Sequence, residues 1–383
     1  MRYRWAVLTA GTIAQASFSA TTVGLAVLAP TLREEYGLSL RQIGVVLAAA
    51  WLGAAVTLLP WGLAADRYGE RIVLSLGLLV SAGCLVGAAY AGSFETLFVF
   101  LALSGAAGAS VNSASGRAVM LWFGPAERGL ALGIRQSAVP VSGLVAAVVV
   151  PRLAATGGSK PAFLFLAVFC GAGALAGGIL VRGKEVEDGL ELDSIARTLR
   201  DSRLWRLSLA SGVYVYAQIA VIGFGVLFLH DEHGLSESDA ALVIAASQVL
   251  AVVLRVGAGR WSDVLGKRVA PLRRVGLAVA LSLALTALLG GGPLWLLVPA
   301  VAVAGGLSMA WNGLAFTAAA ELAGAPRSGA AIGLQQSVLA GLALVAPVVF
   351  ASTVSAWSWQ AAFAIAALPV LVGWAGLRPL RGY

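Results

Sequence analysis

Three arginines stand inside apolar runs of this 383-residue chain: Arg117, Arg135 and Arg255. A guanidinium stays charged throughout the accessible pH range, and its planar fork of donors fits carboxylates and similar oxyanions. In hydrocarbon such a charge costs ~2.5–3.5 kcal/mol on insertion scales, so it marks a pathway or a compensated group. Arg255 reads as the deepest of the three. It precedes Asp263 by eight residues, a helical rise of ~12 Å. Gln248, seven residues earlier, shares nearly the same helix face. Arg255 is therefore a candidate anchor for an anionic group; the competing role is a structural cation satisfied by a neighbouring carbonyl or carboxylate.

Other polar residues fall in the same kind of surroundings. Arg117 and Arg135 lie ~7–10 Å from the nearest loop by helical rise, close enough for long side chains to reach the interface. Arg117 shares a face with Ser110 and Ser113, which fits either cavity lining or a gate pairing with Glu127 or Glu321. Tyr214 and Gln218 are four apart on one face, and Gln15 and Thr22 seven apart on another. Trp51 and Trp311 could form an aromatic wall. Asn112 and Asn312 recur 200 residues apart, as do Gln136 and Gln336, so helix packing competes with substrate contact as their role.

What is missing narrows the chemistry. No Asp or Glu falls in the middle of an apolar run, the two cysteines (Cys84 and Cys170) are embedded in such runs, and the two histidines (His230 and His233) share one polar loop. A thiolate metal site, a zinc centre and a disulfide framework are all poor fits. Neither a phosphate-binding Gly-Lys-Ser/Thr loop nor an H-E-x-x-H motif is present. The expectation is a chain that is not an enzyme and uses no cofactor or metal.

The elements that must position these residues are membrane helices. Charged residues make up 11% of the chain and hydrophobic ones 59%, whereas a soluble domain carries about 25% charged residues. Spans of about 20 apolar residues are expected at 6–32, 40–65, 71–91, 95–121, 129–153, 161–181, 204–230, 238–262, 271–290, 293–320, 328–353 and 358–377. The charge-rich stretch 182–203 cannot span, and divides the chain into bundles 1–181 and 204–383. Arg2 and Arg4 before an apolar run resemble a secretory signal, but the apolar pattern continues to Pro30, so an uncleaved first span is expected. Lys and Arg crowd one side of the predicted topology, nineteen against Arg33, Arg41, Arg152 and Lys160 on the other. Basic loops face the cytoplasm, so both termini are expected inside, in the cytoplasmic membrane. The net charge of +8 follows from those loops and needs no nucleic-acid partner.

The halves echo one another. Gly62-Leu-Ala-Ala-Asp66-Arg67-Tyr-Gly69-Glu70-Arg71 follows the second span, and Gly259-Arg-Trp-Ser-Asp263-Val-Leu-Gly266-Lys267-Arg268 follows the eighth. The fifth and eleventh spans open with Gly133-Ile-Arg135-Gln136-Ser137 and Gly333-Leu-Gln-Gln336-Ser337. The position equivalent to Arg255 in the first half is Leu58, so a packing requirement of a duplicated fold does not explain the arginine. Duplicated six-helix units are the building plan of rocking-bundle transporters.

With these two motif copies, and with Trp122-Phe-Gly-Pro-Ala-Glu127-Arg128-Gly129 between spans four and five, the chain resembles the major facilitator superfamily over its whole length. The resemblance implies an all-α membrane protein of twelve transmembrane helices in two six-helix bundles, each of 3+3 inverted repeats. It implies that spans one, four, seven and ten line a cavity, which adds Tyr214, Gln218, Gln15, Asn112, Arg117, Asn312 and Trp311 to Arg255 and Gln248 of the eighth span as the candidate substrate contacts. It also implies that the motif loops gate, through Asp66, Arg67, Arg71, Asp263, Arg268, Arg135, Glu127 and Arg128. The motif carboxylates sit where helix N-termini and Arg71, Lys267 or Arg268 can hold them; the alternative is a charged loop that only sets topology. Glu70 stands where the family usually has a basic residue, so the charge network must be wired differently.

The resemblance is greatest to branches that carry small organic or inorganic anions. The expected function is secondary transport of a carboxylate-like anion by alternating access, through antiport or proton-linked symport, by a monomer in the lipid bilayer. The alternative is a proton-coupled multidrug exporter. Against it, that branch has an arginine early in the fourth span where this chain reads Leu101-Ala-Leu-Ser-Gly, and its fifth-span pattern survives only as Val139-Pro140-Val-Ser-Gly143.

Overall fold

The structure, a computed structural model, describes residues 3–183, 193–380 and 382. Part of the expected linker (184–192, with Lys184) and the basic residues Arg2 and Arg381 lie outside the described residues. Helices follow in the order α1 Tyr3–Val27, α2 Ala29–Glu35, α3 Leu40–Tyr68, α4 Glu70–Ala89, α5 Phe94–Gly108, α6 Ser110–Trp122, α7 Arg128–Gly157, α8 Ser159–Leu180 and α9 Asp193–Arg200. The second half continues with α10 Ser202–Gly212, α11 Val215–Gln218, α12 Phe224–Leu227, α13 Glu237–Leu265, α14 Val269–Leu289, α15 Leu294–Ala310, α16 Asn312–Ala323, α17 Ser328–Ala356 and α18 Trp359–Gly376. Among the described residues, eleven helical stretches are long and apolar enough to cross a membrane, and the bent pair α1–α2 counts as a twelfth when taken as one span.

Local sequence accounts for the helix ends. Ser39, Ser93, Ser236 and Ser358 cap α3, α5, α13 and α18 by accepting from backbone amides of the first turn. Gly69, with φ +84°, turns the chain between α3 and α4 in a conformation that side chains resist.

Four expected spans are less regular than their sequences suggest. The first bends by 57° between α1 and α2, where Pro30 lacks the amide needed to continue the ladder. The fourth and tenth shift at one residue each, Ala109 between α5 and α6 and Trp311 between α15 and α16. The seventh alternates α-helix with π-helical turns at Ile219–Gly223 and Phe228–Glu232. Such bulges widen a helix without ending it, and they concentrate at functional sites.

The chain divides into two compact units. Unit 1 comprises Met1–Gly124, Ala138–Arg200 and Ala323–Ser337; unit 2 comprises Pro125–Ser137, Asp201–Leu322 and Val338–Tyr383. In unit 1, α4 packs on α8 and α5, and α3 on α5. Unit 2 repeats this with α14 on α18 and α15, and α13 on α15. With no hydrophobic drive between helices in lipid, contact depends on close van der Waals approach. At the α3–α5 seam, a Cβ on Gly53 would lie 1.9 Å from the Ala102 carbonyl oxygen, and one on Gly105 would lie 2.0 Å from that of Ala50. Gly53→Val should therefore lower stability by about 1–3 kcal/mol, the usual range for overpacking. Gly83→Ala, with nothing within 4 Å of its Cβ, should leave the thermal unfolding midpoint in detergent unchanged. Equal midpoints for the two variants would mean that the seam is loose.

Candidate functional site

Each motif carboxylate caps the first turn of a helix that is distant in sequence. In unit 1, Asp66 Oδ1 accepts from the Gly329 amide at 2.9 Å and Oδ2 from the Ala330 amide at 2.7 Å. In unit 2, Asp263 Oδ1 accepts from the Gly129 amide at 2.9 Å and Oδ2 from the Leu130 amide at 2.7 Å. The first amides of a helix have no intrahelical acceptor and carry its positive end, so a carboxylate there forms charge-assisted bonds. Glycine makes the approach possible. A Cβ on Gly62 would lie 2.4 Å from the Gly329 carbonyl oxygen, and one on Gly259 would lie 2.1 Å from that of Gly129.

The compensating charges exchange places between the units. In unit 1 the motif supplies a second acid, Glu70, and helix α6 supplies the cation: Arg117 Nε donates to Asp66 Oδ1 at 2.8 Å, and Arg117 Nη1 donates to Glu70 Oε1. In unit 2 the motif supplies the cation, Arg268, and helix α16 supplies the second acid. Arg268 Nη1 donates to Asp263 Oδ1 at 2.6 Å, while Nε and Nη2 reach the two Glu321 oxygens at 2.9 and 3.0 Å. Burial works against the Arg268 charge, but its bonds to Glu321 and Asp263 outweigh this and hold its pKa above the ordinary arginine value. Arg128 adds a longer pair to Glu321 at 3.7 Å. Arg67 and Arg71 are exposed, and Arg67 stacks on Tyr68. The place that the motif spacing offers to Arg71 beside Asp66 is therefore filled by Arg117.

Unit 2 also contains a continuous polar chain. Arg255 is buried, with Nε donating to the Met309 carbonyl at 2.8 Å and Nη1 to the Gln136 carbonyl. Gln136 Oε1 accepts from Arg135 Nη1 at 3.0 Å, and the Arg135 guanidinium lies 5.1 Å from the Phe316 ring centroid. In the other direction, Asn312 Nδ2 donates to the Met309 carbonyl at 3.2 Å and to Gln218 Oε1 at 3.4 Å. Tyr214 packs edge-on against Trp311 at 5.8 Å, and its buried hydroxyl has no hydrogen-bond partner. Thus Arg255, Gln218, Asn312, Trp311 and Tyr214 come together, along with Arg135 and Gln136.

The remaining candidates lie elsewhere. Gln248 is half-buried with its Oε1 unpartnered. In unit 1, Gln15 donates to Ser19 along its own helix at 3.0 Å, and Asn112 is buried. Trp51 is exposed, and Glu127 is half-buried. The sequence marks Gln136 through its recurrence at Gln336 but not the part its backbone oxygen plays, and it marks neither Met309, which contributes a second backbone oxygen, nor Phe316, which offers only a ring face. Among the described residues no group of three or more His, Cys, Asp or Glu could hold a metal ion.

The sequence profile of the Major Facilitator Superfamily matches residues 10–344. An uncharacterised MFS-type transporter of Mycobacterium tuberculosis is 34% identical over 380 residues, covering 96% of this chain and 84% of its own. A probable nitrate/nitrite antiporter of Thermus thermophilus is 32% identical over 289 residues, covering 69% of this chain and 62% of its own. The crystal structure of a human organic anion transporter superposes with a TM-score of 0.80 at 17% identity, covering 98% of this chain and 99% of that one; this likeness concerns the fold alone. Two copies of the motif, each with its carboxylate on a helix N-terminus, a helical membrane fold and a match over most of the length lead to one assignment: the chain belongs to the major facilitator superfamily.

Proposed function

We propose that this transporter moves a small, planar, carboxylate-like anion across the cytoplasmic membrane by alternating access, and that Arg255 is its anchor. The observation that carries this reading is a buried guanidinium held by backbone carbonyls, in a position where the other half of the chain has Leu58. Carbonyl dipoles offset only part of a full charge, so an oxyanion gains from the rest. The likeness to the probable nitrate/nitrite antiporter of Thermus thermophilus supports a planar oxyanion and exchange. Uptake of labelled short carboxylates, nitrate and a neutral sugar into proteoliposomes tests it. Saturable flux of an oxyanion with none of the sugar is expected; sugar flux without oxyanion flux would overturn the reading.

The two six-helix halves, 1–181 and 204–383, act as the moving bundles in this scheme, with both termini cytoplasmic. The Asp66 and Asp263 caps hold one state of the cycle and release in the other. Asp66→Asn keeps the shape but loses the charge that strengthens two amide bonds and the Arg117 pair, a loss of about 1.5–3 kcal/mol. Transport should fall about tenfold or more while equilibrium binding of the same anion stays within about twofold. Equal flux in variant and wild type would reduce the motif to a topology element.

A further inference from the structure

Helix α7 runs from Arg128 to Gly157 with Pro140 inside it. Proline has no amide hydrogen, so the carbonyl four residues earlier, that of Gln136, loses its intrahelical donor. Arg255 Nη1 donates to that same carbonyl. The other acceptor of Arg255, the Met309 carbonyl, lies in the last turn of α15, where carbonyls also lack intrahelical donors. Arg255 is thus held by two carbonyls that helix interruptions leave open. The equivalent site of the duplicated fold lacks both components: Leu58 in the first half stands for Arg255, and Ala340 in the second, at the same 200-residue offset that relates Gln136 to Gln336, stands for Pro140. The boundary of the α7 segment that belongs to unit 2 falls at Ser137, next to this bond.

We propose that the Gln136 carbonyl, freed by Pro140, is a built-in ligand of Arg255 that competes with the transported anion. Binding of the anion then releases the first turns of α7 from α13. Naming the competitor rests on the anion reading above; the coupling of Pro140 to Arg255 does not. Pro140 and Gln136 are positioning residues in this scheme, acting through Arg255.

Hydrogen exchange of the full chain in lipid nanodiscs, read by mass spectrometry over residues 128–137, tests the coupling without any ligand. Arg255→Gln removes a charge-assisted bond and should speed exchange there about tenfold. Pro140→Ala restores a donor to the Gln136 carbonyl and should speed it comparably, and the double variant should be no faster than either single one. Unchanged exchange in Pro140→Ala, or additive effects in the double variant, would overturn the lock. Arg255→Met replaces Arg255→Gln if the latter does not fold. Nitrate and acetate are then titrated as probes: one that binds should speed exchange over 128–137 in wild type and bind several-fold tighter to Pro140→Ala. Binding with neither effect would overturn the competition. Binding of neither probe would count against the anion reading, while the ligand-free cycle still decides the lock.

Discussion

Arg255→Gln should lower anion flux by about a hundredfold, the scale expected when one partner of a buried charge pair is truncated at a cost of about 2–5 kcal/mol. Glutamine can still donate one hydrogen bond to the Met309 or Gln136 carbonyl, so the helices keep a connection while the fixed charge is lost. Arg255→Lys retains the charge on a flexible stem without the planar fork, and should recover part of the flux with weaker apparent affinity. Initial rates in proteoliposomes, normalised to reconstituted protein, separate the two effects. Wild-type rates in Arg255→Gln would assign this arginine a purely structural role.

Arg117→Met should produce the largest loss of stability. It leaves Asp66 and Glu70 buried without the cation they share. Breaking a buried ion pair from one side costs about 3–5 kcal/mol, because the remaining charge is uncompensated. Glu70→Gln in the same chain removes one of the two stranded charges and should restore part of the loss, so the double variant should unfold at a higher temperature than Arg117→Met alone. Thermal unfolding followed by fluorescence in detergent reads this directly. If the second substitution lowers the midpoint further, Glu70 does not depend on Arg117.

Much of this arrangement was legible because charges are rare in the chain. Asp66 and Asp263 could be placed at helix ends from the two motif copies alone, and the expectation that helix N-termini hold them is a consequence of backbone geometry. The cation in unit 1 was harder. Glu70 and Arg71 are adjacent, and successive helical residues point about 100° apart, so only one of them can face inward. The sequence does not say which; in the structure Glu70 is buried and Arg71 exposed. Depth along a helix follows from spacing, which gave Arg117 its height. Which neighbouring helix it faces depends on packing between segments far apart in sequence. The partners of Arg255 are backbone oxygens, and a carbonyl leaves no mark in composition. Pro140 was the readable sign, since a proline four residues after Gln136 implies an open carbonyl there. The bend at Leu28 and the π-helical turns in the seventh span have weaker signatures, because hydropathy registers length and polarity but not helical pitch.

Counterflow tests the central claim most directly. Proteoliposomes preloaded with an unlabelled anion that the uptake panel identifies should accumulate the labelled anion much faster than empty ones, and Arg255→Gln should abolish the difference. A permanently charged arginine cannot release its charge to return empty, so an internal anion should speed the return step. Flux that follows an imposed pH gradient with no need for internal anion, and that survives Arg255→Gln, would contradict the account.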